Sequence, residues 1–316
     1  MATIDVIATA ALRMAGDETP LRGYEPVGGG MISQAARVVS GRGAYLLKWG
    51  GQGLANFFTV EARGLELLAA AGALRVPAVL AHYDAPNDER RTMNDKTEDC
   101  KPSSFIAHPS SFILLEWIES PPQADRDAAF TALGRQLAAL HRATAPAYGL
   151  DHDNYIGIMP QPNGWMDSWA AFFRERRLRA QAELARHKGH LFGQRARRME
   201  RLLDRLDTLL GGHTPPPALL HGDLWGGNVL VGPGGAPALI DPAVSYGDRE
   251  AELAYTALFG GFPAAFYRAY DEAWPLPDSW QERRDLYNLY HLVNHLNHFG
   301  ERYGEAVDAV LRRYVG

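Results

Sequence analysis

Cysteine is almost missing from this 316-residue chain: Cys100 is the only one, and a lone thiol closes no intrachain disulfide. The fold therefore owes nothing to an oxidising compartment, and a reducing, cytoplasmic setting is expected. Long apolar runs are missing as well. FILLEW at 112–117 is among the most hydrophobic stretches, far short of the roughly 20 residues that a spanning helix needs. Near the start, Asp5 stands where a secretory leader carries lysine or arginine, and Arg13 interrupts the apolar stretch, so a helix is expected there and not a signal. An excess of positive charge is also absent. The formal net charge of −5 gives no general attraction for a nucleic-acid backbone. What remains is a composition of 46% hydrophobic and 22% charged residues, which excludes disorder and collagen-like architecture and suffices for one large core or two lobes.

The first part of the chain reads as short strands and one helix. RVVSGRGAYLLKWG at 37–50 has the pattern of two strands joined by Gly41-Arg42-Gly43, with Lys48 near the end of the second. VEARGLELLAAA at 60–71 places Val60, Leu65, Leu68 and Ala71 at helical spacing, with Glu61 near the start and Gly72 as the stop. RVPAVLAHYD at 75–84 and SFILLEW at 111–117 resume strand patterns, and the polar, proline-punctuated segment 86–111 between them is expected to be a long surface loop. Beyond Pro121 and Pro122, amphipathic helical patterns dominate. The expected architecture is α+β, with a small β-rich lobe over 1–118, a larger, mostly helical lobe over 119–316 and a cleft between them. Between Arg174 and Arg201, ten basic residues face three glutamates, which is expected to form a solvated helix face.

The most informative stretch is LLHGDLWGGNVLV at 219–231, followed by PALIDPAVSYGDRE at 237–250. A strand start delivers His221-Gly222-Asp223 into a loop, Asn228 follows five positions after Asp223, and a second apolar run ends at Asp241. This is the layout of a phosphotransferase catalytic loop with its metal-binding aspartate. A carboxylate must orient and deprotonate an attacking hydroxyl, and hard oxygen ligands suit Mg²⁺. Asp223 fits the first task, Asn228 and Asp241 the second. Each residue alone would pass for turn chemistry; the ordered set does not.

Lysine is scarce: four occur against twenty-eight arginines, and one of them, Lys48, sits at a strand end where a compact ammonium can touch phosphate oxygens, with Glu61 placed to hold it. Gly28-Gly29-Gly30, one hairpin upstream, lets backbone approach nucleotide phosphates, although it matches no established phosphate-loop spacing. By analogy with kinases, backbone groups of Glu116 and Ile118 are candidates for an adenine edge. His291, His295 and His298 recur at helical spacing without a cysteine or HExxH pattern, which favours pocket lining over zinc. Trp225 offers a flat wall for a sugar ring.

HGDLWGGN at 221–228, IDPAVSYGDREAELA at 240–254, GFPAAFYRAY at 261–270 and LYNLYHLVNHLNHFG at 286–300, together with GGGMISQA at 28–35 and VEARGLELL at 60–68, closely resemble the fructosamine (ketosamine) 3-kinase family, within the wider aminoglycoside-phosphotransferase-like superfamily. The resemblance implies a protein-kinase-like two-lobe fold that uses ATP and Mg²⁺ to phosphorylate the 3-hydroxyl of ketosamines, glycated lysines included, giving a labile 3-phosphate from which the amine is regenerated. It implies Asp223 as catalytic base, Asn228 and Asp241 as metal ligands, Lys48 and Glu61 as the phosphate-anchoring pair, and Trp225 with His295 flanking the ketosamine. The implied partners are a small ketosamine or a glycated protein lysine, with a homodimer admitted and neither nucleic acid nor membrane. A kinase for an aminoglycoside or a choline-like alcohol is the competing assignment. Three positions depart from the family pattern. Met31 stands where some relatives have cysteine, Glu252 replaces the more usual aspartate in what is expected to be a structural role, and the 86–111 segment is longer and more polar than the pattern suggests.

Overall fold

The computed structural model of the chain describes residues 3–28, 33–50, 53–86, 110–121 and 125–316. Gly29, Gly30, Met31, Cys100 and nearly all of the polar 86–111 segment lie outside them. The chain divides into two compact units, one of residues 1–66 and 77–119, the other of 67–76 and 120–316.

The first unit opens with α1 (Ile4–Met14), whose Ile7, Ala8, Ala11 and Leu12 repeat at i, i+1, i+4, i+5 and therefore bury one face. Strands β1 (Gly23–Pro26), β2 (Ser33–Val39) and β3 (Ala44–Gly50) follow, then α2 (Phe57–Ala70), whose residues from Leu67 on count with the second unit, and β4 (Val79–Tyr83) and β5 (Phe112–Glu116). They make an antiparallel five-stranded sheet in the order β1-β2-β3-β5-β4. The expected hairpin over 37–50 is β2–β3, closed by Ser40 N–H donating to Gly43 O at 2.9 Å. The buried face of α1 packs on Ala36, Val38, Leu47, Ala81, Phe112 and Leu114 of this sheet. Two N–H groups of the first turn of α2, which have no partner within the helix, donate to the Asp84 carboxylate: Phe58 N at 3.0 Å and Thr59 N at 2.8 Å. That anchor sets the helix that carries Glu61.

The second unit is mostly helical. It comprises α3 (Arg126–Leu140), the small hairpin β6 (Asn154–Ile156) and β7 (Met159–Gln161), and α4 (Trp169–Phe172), which runs through a π-helical segment, Phe173–Arg179, into α5 (Ala180–His187). Next come α6 (Gly193–Asp204), α7 (Leu206–Leu209), β8 (Ala218–Leu220), β9 (Val229–Val231), β10 (Pro237–Leu239), β11 (Ser245–Gly247), α8 (Arg249–Thr256), α9 (Ala264–Ala273), α10 (Trp280–Phe299) and α11 (Gly304–Val315). Short antiparallel pairs β8–β11 and β9–β10 interrupt the helices just where the sequence places the catalytic-loop motif. Leu286, Leu289, Val293 and Leu296 of α10 share one core with Phe172, Phe173, Leu178, Met199, Leu202 and Leu311.

The arginine-rich stretch departs from the expected solvated face at one residue. Arg174 pairs with Asp207, Arg186 with Glu200, and Arg195 with Asp308 and Glu301, all at or near the surface. Arg177 instead turns inward from the π-helical segment, 5% exposed, donating to Pro162 O (2.8 Å) and Asn163 Oδ1 (2.9 Å) with its guanidinium over Phe172. The wider π-helical turn shifts the register of side chains, which the α-helical period of the sequence could not indicate.

Candidate active site

Strand β8 ends at Leu220, and the chain leaves it through His221-Gly222-Asp223. The turn depends on Gly222, whose φ is +84° and where a Cβ would lie 2.0 Å from Ala243 O. His221 is fully buried, and burial pushes its imidazole pKa down, so the neutral ring is the one present. Its Nε2–H donates to Ile240 O (2.9 Å), while Nδ1 accepts the Asp223 N–H (3.3 Å). One ring thus ties Asp223 to the residue preceding Asp241. The tie is doubled because Ile240 N–H donates to Asn228 O at 3.1 Å and Ala243 N–H to His221 O at 2.8 Å.

Asn228 Nδ2 donates to Asp223 O (2.8 Å) and Asp223 Oδ2 (3.2 Å). Asp241 follows Ile240 in a left-handed conformation, φ +55°, which is uncommon outside glycine. The structure therefore brings Asp223, Asn228 and Asp241 together, although 18 positions separate the first from the last. Asp223 keeps an accessible edge, yet loss of water pushes its carboxyl up to about 7; the Asp241 charge adds to the rise, and hydrogen bonding from Tyr255 and Asn228 opposes it. Amide and carboxylate oxygens in this grouping match the hard-donor set that Mg²⁺ takes.

Trp225 leaves the loop 42% exposed and folds back over Gly227, where a Cβ would sit 2.3 Å from the indole. A broad aromatic face is thereby presented to solvent. His295 lies on α10 with its Nδ1 against His291 O (2.8 Å), ringed by Phe259 (4.7 Å between centroids) and Tyr303 (5.0 Å). Burial pushes its pKa down. His291, His295 and His298 do not converge as metal ligands. Among the described residues the one group with ligand atoms close together is His213, Asp248 and Glu250. Its carboxylates are already engaged, Glu250 by a forked pair to Arg283 (2.7 and 2.9 Å) and Asp248 by Tyr287 Oη (2.6 Å).

In the first unit, Lys48 Nζ meets Glu61 Oε1 at 2.6 Å, and both side chains are only 10% exposed. The helix register that places Glu61 and the strand register that places Lys48 meet as the sequence suggested. Glu116 closes β5 with its N–H donating to Ala78 O (2.9 Å). Ile118 is buried two positions on. Gly28 follows β1, and its neighbours Gly29 and Gly30 lie outside the described residues.

Two residues stand closer to Asp223 than the sequence suggested. Tyr255 on α8 stacks flat on His291, with centroids 3.5 Å apart and planes within 9°, and its hydroxyl reaches the Asp223 carboxyl. Glu252, one helical turn earlier, is buried and accepts Gly222 N–H (2.6 Å), His221 N–H (3.2 Å) and the His141 imidazole (2.9 Å). Its contacts go to the backbone of the loop that carries Asp223. The i, i+3 spacing of Glu252 and Tyr255 was the only sequence signal that they share a face. A cavity of about 40 Å³ lies beneath the loop, lined by Gly222, Glu252, Tyr255, Arg177, Tyr290 and His291 among others.

A small antiparallel sheet with the helices α1 and α2, and a helical unit carrying this loop, make up the kinase-like fold of phosphotransferases. A crystal structure of the aminoglycoside phosphotransferase APH(4)-Ia shares that fold with a TM-score of 0.64 over 99% of this chain and 100% of its own, at 16% identity. The chain belongs to the fructosamine kinase family, whose model matches residues 4–316. It is 40% identical to a probable ketoamine kinase of Synechocystis over 91% of this chain and 88% of that one. The crystal structure of a candidate fructosamine-3-kinase from Haemophilus somnus superposes with a TM-score of 0.83 at 26% identity, covering 98% of this chain and 97% of its own.

Proposed function

We propose that this chain transfers the γ-phosphoryl group of ATP to the sugar 3-hydroxyl of a ketosamine, a fructosamine or ribulosamine borne by a small amine or a glycated protein lysine. The observation that carries the reading is the convergence of Asp223 and Asn228, from the loop after β8, with Asp241, from the turn after β10. Family membership supplies the acceptor class.

Asp223 orients the 3-hydroxyl and takes its proton as the sugar oxygen forms its bond to the γ-phosphorus. The bond from that phosphorus to the β,γ-bridging oxygen breaks, and ADP leaves with the electron pair. Burial raises the proton affinity of Asp223 toward that of a useful base near neutral pH. Asn228 and Asp241 would hold Mg²⁺, which supplies charge neutralisation on the phosphate oxygens when bound. Lys48, kept straight by Glu61, anchors phosphate as a point charge. Gly28, Gly29 and Gly30 cover the phosphates, and backbone groups of Glu116 and Ile118 take the adenine edge. The exposed Trp225 indole and the neutral His295 ring flank the sugar, offering apolar faces to its C–H surface.

The test is a panel of acceptors with MgATP, namely fructosyl-lysine, ribulosyl-lysine, an aminoglycoside and choline, read as ADP release and by phosphorus NMR of the product. Phosphorylation of the two ketosamines at the 3-position is expected, and its loss in Asp223→Asn with ATP binding retained. Turnover of the aminoglycoside or choline alone would reject the acceptor class. Full turnover by Asp223→Asn would reject the mechanism.

A further inference from the structure

Four buried polar side chains extend from the catalytic loop into the helical unit. Glu252 accepts the N–H groups of His221 and Gly222, the two residues that precede Asp223. On its far side Glu252 Oε2 meets His141 Nε2 at 2.9 Å, His141 Nδ1 meets Tyr270 Oη at 2.8 Å, and Arg249 Nη1 donates to Tyr270 Oη at 3.2 Å. His141 ends α3, Tyr270 lies on α9, and Arg249 and Glu252 lie on α8. His141 and Tyr270 are at most 1% exposed, and Glu252 only 3%. Arg249 is held in turn by Trp274 O (2.8 Å) and Pro275 O (2.7 Å), with its guanidinium 4.0 Å from the Trp274 ring centroid.

Donor and acceptor chemistry fixes the protons along this chain. A guanidinium can only donate, so Tyr270 Oη accepts from Arg249 and has one proton to give. Its acceptor is His141 Nδ1; otherwise that buried O–H has none among its contacts. With Nδ1 accepting, the imidazole proton sits on Nε2 and donates to Glu252. The carboxylate then receives a donor from each side, and no buried group in the series is left unmatched. Burial works to raise the Glu252 pKa, but the hydrogen bonds it accepts from His141 and the loop N–H groups outweigh it and hold the carboxyl below its usual range, which preserves the charge that those N–H groups need.

We infer that Arg249, Tyr270, His141 and Glu252 form a positioning relay that fixes the backbone of the catalytic loop and, through it, the aim of Asp223 at the acceptor hydroxyl. The inference rests on Asp223 as the base. The four are positioning residues, and they give Arg249 and Glu252 of the long YGDREAE block a reason to sit where they do.

Glu252→Gln keeps the side chain's size and defeats the relay. One of the two carboxylate positions becomes an NH₂ that faces a backbone N–H in either flip, at Gly222 or at His221. Tyr270→Phe is gentler, because it removes only the hydroxyl that sets the His141 tautomer. Initial rates with fructosyl-lysine and MgATP are measured for both, together with nucleotide affinity and the unfolding midpoint. We expect kcat to fall about 100-fold in Glu252→Gln and about 10-fold in Tyr270→Phe, with both KM values and ATP affinity within about twofold of the parent. The double variant is expected to be no slower than Glu252→Gln alone. Unchanged kcat in a folded Tyr270→Phe protein overturns the relay, and so does a rise in KM that accounts for the whole loss. Should Glu252→Gln fail to fold, Tyr270→Phe decides alone. Asp223→Asn in the same assay separates the two failures: if it is inactive while the relay variants are normal, only the relay is wrong; if it is active, the base assignment falls first.

Discussion

With Asp223 as the proposed base, catalytic and folding demands conflict at one residue. Its carboxyl is raised to about 7 chiefly by loss of water, above the value near 3.8 that an unfolded chain gives it. Between those two pH values the folded state binds more protons than the unfolded one, so this residue's contribution to stability declines as pH rises from about 4 through about 7. Asp223→Asn removes a carboxylate that is costly to ionise in place. In nucleotide-free protein with EDTA, the variant is expected to unfold at a higher temperature than the parent at pH 8, with the difference shrinking toward pH 4, in a thermal melt taken across that range. A variant equally stable or less stable at pH 8 would contradict the burial argument. Inactivity coupled to added stability is the usual pattern for a residue retained for chemistry. The neighbours that create this environment could not be read beforehand. Tyr255 and Glu252 are ordinary helix residues in the sequence, and only tertiary packing brings them to Asp223, as it brings His141 to Glu252.

The β8-to-loop junction carries a constraint at the level of the element. Gly222 combines a positive φ with a Cβ position that would overlap a backbone oxygen rather than a movable side chain. Gly222→Ala is therefore expected to cost about 2–4 kcal/mol, seen as a lower urea midpoint with an unchanged m-value, and to disable turnover because Asp223 is displaced with the loop. A variant of parental stability would show that the loop can relax around the methyl group. The glycine was visible in the sequence; the oxygen that it must avoid was not. The same division holds for other elements. The β2–β3 hairpin, α2 and the strand before His221 followed from local alternation, turn glycines and helical spacing, all of which act within a few residues. The π-helical turn that buries Arg177 did not follow, because its apolar neighbours Phe172 and Tyr290 come from different elements. The Asp84 carboxylate that anchors α2 was equally hidden, lying some 25 residues beyond the N–H groups that it accepts.

For the molecule as a whole, the assigned groups differ in what they should contribute to ligand binding, and linkage makes that difference measurable. A ligand that binds only the folded chain raises stability by RT ln(1 + [L]/Kd), about 2.7 kcal/mol at one hundred times Kd. If Lys48 anchors phosphate while Asn228 and Asp241 hold the cation, the two contributions can be removed separately. With the parent protein, ATP plus Mg²⁺ is expected to raise the unfolding temperature by several degrees, and ATP with EDTA by clearly less. Asp241→Ala should abolish the part that depends on Mg²⁺ and keep the residual ATP shift. Lys48→Met should shrink the ATP shift whether or not Mg²⁺ is present, since the lost ammonium contacts the nucleotide and not the ion. Calcium and ADP serve as controls for cation size and for the γ-phosphate. A parent midpoint that responds to ATP identically with Mg²⁺ and with EDTA would remove Asn228 and Asp241 from the ligand set, whatever their closeness to Asp223. If Lys48→Met shifts as fully as the parent, the buried Lys48–Glu61 pair is a structural tie within the first unit, and the phosphate anchor must be sought among the arginines.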